Sequence, residues 1–130
     1  MRLLTRAALA SLTLAVIVSG CATTTTVPTG LADVMQRPAE GSLLSGMRAY
    51  DDANYALAET LLRSALSTGL VSGKDQATAH KLLAFLLCSS DRLDDCEAEF
   101  RAARRADAAF ALGKSEVGHP LWGPVYRRLQ

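Results

Sequence analysis

The chain is 130 residues long, with 14 basic and 13 acidic side chains, so it is close to neutral. That length holds one folded domain at most, and the even charge balance gives no sign of the basic face that a nucleic-acid backbone requires.

The N-terminus reads as an export signal. Met1 to Arg6 carries two arginines and no acid, and Ala7 to Val18 is apolar apart from Ser11 and Thr13. A positive head, an apolar stretch of about a dozen residues and small residues at Ser19-Gly20 describe a cleavable secretory segment. The apolar run is shorter than the ~20 residues a spanning helix needs. Val18-Ser19-Gly20-Cys21 resembles the lipobox of bacterial lipoproteins, which implies cleavage before Cys21 and a covalent lipid on its thiol. The alternative is a secreted protein with an incidental cysteine at the cleavage point. Several acyl chains on one residue would anchor the protein where one would not. Ala22, rather than an aspartate, follows the cysteine, which points to the outer membrane with the domain facing the periplasm. Loss of Arg2 and Arg6 with the signal leaves 12 basic against 13 acidic side chains. From Ala22 to about Gly41 the chain is polar and broken by Pro28 and Gly30, and reads as a tether spanning roughly 25 Å as a coil.

From Ser42 onward the pattern is helical, and the expected fold is all-α. Alanine and leucine dominate and no alternating strand run appears. Breaks at Asp51–Asn54, Gly69–Lys74, Ser89–Asp91 and Gly113 leave helices near 42–51, 54–67, 75–88, 92–107 and 121–129. Asn54 and Asp91 suit N-caps and Gly69 suits a helix end. Leu93, Cys96, Phe100 and Ala103 form one inward stripe. Leu82 to Leu87 is apolar on every side, which predicts a central helix.

Two stretches fit a tetratricopeptide-like frame: Gly46, Ala58, Leu62 and Ala65, then Ala84, Cys96, Phe100 and Ala103. The small positions permit close helix packing and the bulky one fills the groove between units. Neither unit begins with tryptophan, Ala108 stands where a proline often ends the repeat, and an unrelated helical bundle is the alternative. Two units are fewer than the three or so that usually close a repeat core, so the last segment, a second copy or a partner must cover the open face.

Cys88 and Cys96 sit on either side of the Ser89–Asp91 turn. On one continuous helix they would be roughly 12 Å apart; across a hairpin they can meet. An oxidising periplasm favours a disulfide, with two buried thiols as the alternative. His80, Cys88, Cys96 and His119 match no common zinc spacing, and His80 reads as a surface or partly buried residue. No metal-protease, nucleophile-elbow or phosphate-loop motif is present, so neither a catalytic residue nor a metal ligand is assigned. The acids Asp94, Asp95, Glu97 and Glu99 opposite Arg101, Arg104 and Arg105 read as a solvated helix face.

The stretch Gly118-His119-Pro120-Leu121-Trp122-Gly123-Pro124-Val125-Tyr126-Arg127 holds the only tryptophan. It reads either as a cap folding Trp122 and Val125 over the second unit or as a docking element, with His119, Trp122, Tyr126 and Arg127 as its candidate residues. Together with Ala79-His80-Lys81-Leu82-Leu83-Ala84-Phe85, Cys88, Cys96-Glu97-Ala98-Glu99-Phe100 and Phe110, the run from Gly118 to Val125 resembles the tetratricopeptide-like lipoproteins associated with type VI secretion systems. The resemblance covers roughly the last 55 residues. It implies an accessory envelope lipoprotein that binds envelope proteins, type VI components among them, with no cofactor beyond the lipid on Cys21. A pilotin-like or outer-membrane assembly lipoprotein is the second reading, and a metal protein or enzyme the third.

Overall fold

A computed structural model describes residues 37–130; the export segment, Cys21 and most of the expected tether lie outside them. Among the described residues the chain is all-helical: α1 (Pro38–Asp51), α2 (Tyr55–Thr68), α3 (Gly73–Ser89), α4 (Leu93–Ala106) and two short helices, α5 (Lys114–Val117) and α6 (Gly123–Arg127). None is long and apolar enough to cross a membrane.

Helix α1 begins earlier than composition indicated and takes in Pro38 to Gly41, which the sequence assigned to the tether. Proline at the start of a helix loses no hydrogen bond and brings its φ pre-set. Glu40 adds a negative charge in the first turn, where the helix dipole favours it, and pairs with Arg37 at 3.4 Å. The chain then reverses through Asp52-Ala53-Asn54. The Asn54 side chain accepts the Leu57 N–H, as its cap position required, and the Tyr50 and Tyr55 rings close the turn at 5.8 Å. Gly46 of α1 lies directly against Leu62 of α2.

Helix α2 stops at Gly69, whose φ of 101° is left-handed and favours glycine. Helix α3 starts two residues sooner than expected, because Ser72 caps it by accepting the Asp75 N–H at 3.3 Å. At the next turn Asp91 is not the N-cap. It adopts φ 60°, a conformation aspartate tolerates better than most residues, so that the Arg92 N–H can return to the Leu87 carbonyl at 2.9 Å. Arg92 takes the cap position without a side-chain bond. This tight reversal places Cys88 and Cys96 face to face, with Cα atoms 5.2 Å apart and sulfurs at 2.09 Å.

The helices pack as two hairpins, α1 with α2 and α3 with α4, joined mainly where α2 meets α3. Leu82 to Cys88 are all buried, so α3 is covered on each of its sides. All eight residues of the two sequence frames are buried too. Leu93 departs from its stripe and is 43% exposed, because it opens the first turn of α4, beyond the end of α3. Glu99 departs from the solvated face. Its carboxylate turns inward, 2.6 Å from His80 Nδ1 on α3 and 3.7 Å from Arg63 on α2, and so ties three helices together. The remaining acids behave as surface groups, as in Glu97 with Arg101 and Asp95 with Arg92.

The disulfide closes a short loop, and in the chain-entropy account its removal costs about 2–3 kcal/mol. Urea unfolding of Cys88→Ala/Cys96→Ala should show a lower midpoint. An unmoved midpoint would mean that packing alone holds the hairpin.

Candidate functional site

The C-terminal segment is attached to the second hairpin by a run of aromatic rings. Phe85 of α3 and Phe100 of α4 meet edge to face at 6.1 Å. Trp122 stacks on Phe85 with centroids 4.1 Å apart and planes 19° from parallel. His119 lies against Trp122 at 3.3 Å and 2°. Tyr126 meets Phe100 at 5.2 Å, and Phe110 meets Tyr126 at 6.3 Å. Offset and edge-on pairs of this kind add roughly 0.5–1.5 kcal/mol each beyond the area they bury.

Polar groups fix the segment's path. The Trp122 indole N–H donates to the Glu116 carbonyl at 3.0 Å, and the Tyr126 hydroxyl accepts the Leu112 N–H at 3.2 Å. The Arg127 guanidinium donates to the Val117 carbonyl at 3.0 Å. Gly123 is pressed so closely on that carbonyl that a β-carbon would collide with it, so no larger residue fits there without opening the loop. Lys81 of α3 donates to Glu116 at 2.8 Å while standing 5.7 Å above the Phe85 ring. Burial alone would raise the Glu116 pKa. The Lys81 hydrogen bond, the Gly113 N–H and the Lys81 charge together bring it below the ordinary carboxylate value.

Between this segment and the two hairpin turns lies an open groove of about 560 Å³. Tyr50, Tyr55 and Glu59 form the wall from the first hairpin, Leu86, Ser89 and Ser90 the end of α3, and His119, Leu121 and Trp122 the opposite wall. Tyr55 and Leu121 are about half exposed at its rim. Burial, with the nearby Tyr55, Asp51 and Glu116, raises the Tyr50 pKa and keeps its hydroxyl neutral. Glu59 is held ionised, its pKa lowered chiefly by the Arg63 hydrogen bond against the opposing effect of burial, with Arg92 adding to it. The Ser90 hydroxyl is committed to the Leu86 carbonyl at 2.9 Å, and His119 Nδ1 accepts the Leu121 N–H at 3.3 Å. The groove thus offers apolar ring faces beside a phenol and a carboxylate, a surface suited to apolar side chains carrying one or two hydrogen-bonding groups.

The four candidate residues of the C-terminus separate. His119 and Trp122 line the groove. Tyr126 is buried at 2% exposure, so of the two readings of the segment it serves the packing one: it anchors the segment and offers nothing outward. Arg127 is exposed and serves the loop through Val117. The expected helix over 121–129 shortens to α6, because Trp122 closes the preceding turn and Pro124 opens the next helix. Tyr50, Tyr55 and Glu59 went unnoticed in the sequence, and Leu121 was read only as part of the C-terminal stretch; two tyrosines bracketing the Asp51–Asn54 break were the available signal. Cys88 and Cys96 are bonded to each other and present no thiolate, and the described residues contain no cluster of three or more metal-ligating side chains. Cys21 lies outside the described residues. No family model, curated protein or solved structure matches the chain.

Trp122→Ala removes the central ring of the stack and should lower stability by about 3 kcal/mol, read by thermal unfolding. A melting temperature within a degree of the parent would show that the segment is not held by this ring. Because the Glu116 and Glu59 pKa values are lowered on folding, their contribution is present above the unfolded value of 4.5 and fades as pH falls below it. Melting temperature should therefore drop on acidification below pH 4.5, and Glu116→Gln should flatten part of that drop.

Proposed function

We propose that the chain is a lipid-anchored periplasmic adaptor, an accessory lipoprotein of a type VI secretion system that holds a protein partner in the groove between its helix hairpins and its C-terminal segment. The observation that carries this reading is the groove itself, with exposed Tyr55 and Leu121 flanking the stacked His119 and Trp122. Large amphipathic rings set in a pocket are the usual anchors of protein interfaces, and a groove between helices is a common seat for a peptide or helix. We read the two hairpins as tetratricopeptide-like repeats, supported by the burial of Gly46, Ala58, Leu62 and Ala65 and of Ala84, Cys96, Phe100 and Ala103. In this reading the C-terminal segment occupies the place of a third unit. Cys21 supplies the outer-membrane anchor, supported by the lipobox-like Val18-Ser19-Gly20-Cys21.

Crosslinking the protein in its native envelope, followed by affinity capture and mass spectrometry, tests the reading. Type VI membrane-complex or baseplate proteins should be recovered. Pilus, general secretion or outer-membrane assembly proteins in their place would overturn it and favour an assembly lipoprotein. Tyr55→Ala/Leu121→Ala alters only half-exposed side chains. It should reduce capture about tenfold or more, as loss of two anchor residues does, while the melting temperature stays close to that of the parent.

A further inference from the structure

The end of the domain away from the groove carries a different surface. Helix α2 finishes at Thr68, and only Gly69 to Ser72 separate it from α3, whose first residue, Gly73, abuts the Ala106 carbonyl at the end of α4. Since α1 and α2 form a hairpin, the start of α1 belongs to this same end. Tyr50, Tyr55 and Ser89, which line the groove, sit at the turns roughly 20 Å away, the length of a 14-residue helix.

At this far end Arg101, Arg104 and Arg105 of α4 converge with Arg128, which follows α6, around a shallow concavity of about 460 Å³. Arg101 and Arg128 share a single carboxylate, Glu97. Arg104 and Arg105 have no carboxylate partner among the described residues; Arg104 donates instead to the Leu129 carbonyl. Arginines in a final helical turn answer the helix dipole, but that does not account for Arg128, which a separate element brings into the cluster. Acids crowd the opposite end, where Asp51, Asp52, Asp91, Asp94 and Asp95 lie at or beside the turns, while Glu40, Asp75 and Asp107 stand at helix ends on the arginine side.

We propose that the Arg101, Arg104, Arg105 and Arg128 cluster docks on the anionic phospholipid headgroups of the membrane, setting the domain with its groove facing away from the bilayer. The proposal rests on the reading of Cys21 as the lipid-bearing residue. Two features favour a lipid surface as the occupant. Guanidinium groups pair with phosphate through paired hydrogen bonds, and several clustered basic residues bind an anionic leaflet that one would not. The chain leading from Cys21 also enters the described domain at Arg37, at the arginine-bearing end. The 15 intervening residues reach at most about 50 Å, so the anchor holds this end within range of the headgroups.

The test is arginine footprinting on the full chain, purified from membranes and reconstituted in vesicles of phosphatidylcholine alone or with about one third phosphatidylglycerol. Phenylglyoxal modification is read by mass spectrometry, with Arg48 and Arg92 near the turns as internal references. Arg101, Arg104, Arg105 and Arg128 should react at least about fivefold more slowly in the anionic vesicles. That protection should vanish in about 1 M salt, where the screening length is ~3 Å, and in Arg104→Glu/Arg105→Glu, whose fold is checked by circular dichroism. Equal reactivity in both vesicles would overturn the docking and leave the cluster to an acidic protein. The mass of the Cys21 peptide reports the lipid separately, so a missing lipid refutes the anchor while the footprint still decides the docking.

Discussion

Helix α3 imposes the constraint on which the rest of the structure depends. From Leu82 to Cys88 it has no face that can meet water, and a helix of that kind is stable only when neighbours surround it. The first hairpin covers one flank, α4 another, and the aromatic rings of the C-terminal segment cover what two hairpins leave open. The segment is therefore part of the core as well as a wall of the groove. Its placement on Phe85 determines where His119 and Leu121 stand.

The polar contacts serve this arrangement without dominating it. Glu99 and Lys81 reach from one helix to groups on others, and the buried side-chain polar atoms among the described residues all have hydrogen-bond partners. Most of the remaining ion pairs are exposed, where such pairs contribute little. Charge acts more by distribution. Acids outnumber bases at the hairpin turns and four arginines cluster at the opposite end, so the molecule carries an electrical axis along its helices that its near-zero net charge conceals.

Much of the fold could be read from the sequence because it rests on local rules. Asn54 and Gly69 marked ends through cap chemistry, and the cysteines bracketing a three-residue turn foretold a hairpin. The departures have physical causes of the opposite kind. Asp91 gave up its cap role to the geometry of a turn, Glu99 turned inward to cations on other helices, and Tyr126 was drawn into the core by Phe100 and Phe110. The groove was the least legible feature. Its walls come from segments some 70 residues apart, Tyr50 to Glu59 and His119 to Trp122, and no periodicity in one segment reports on the other.

Trp122 is the only tryptophan in the chain, and it stands between an imidazole and a benzyl ring with one edge on the groove. The protein therefore contains its own optical probe. A stacked imidazole quenches indole emission, so ultraviolet fluorescence reports at once on the entry of an occupant and the detachment of the C-terminal segment. Each signal originates at one site with no label added.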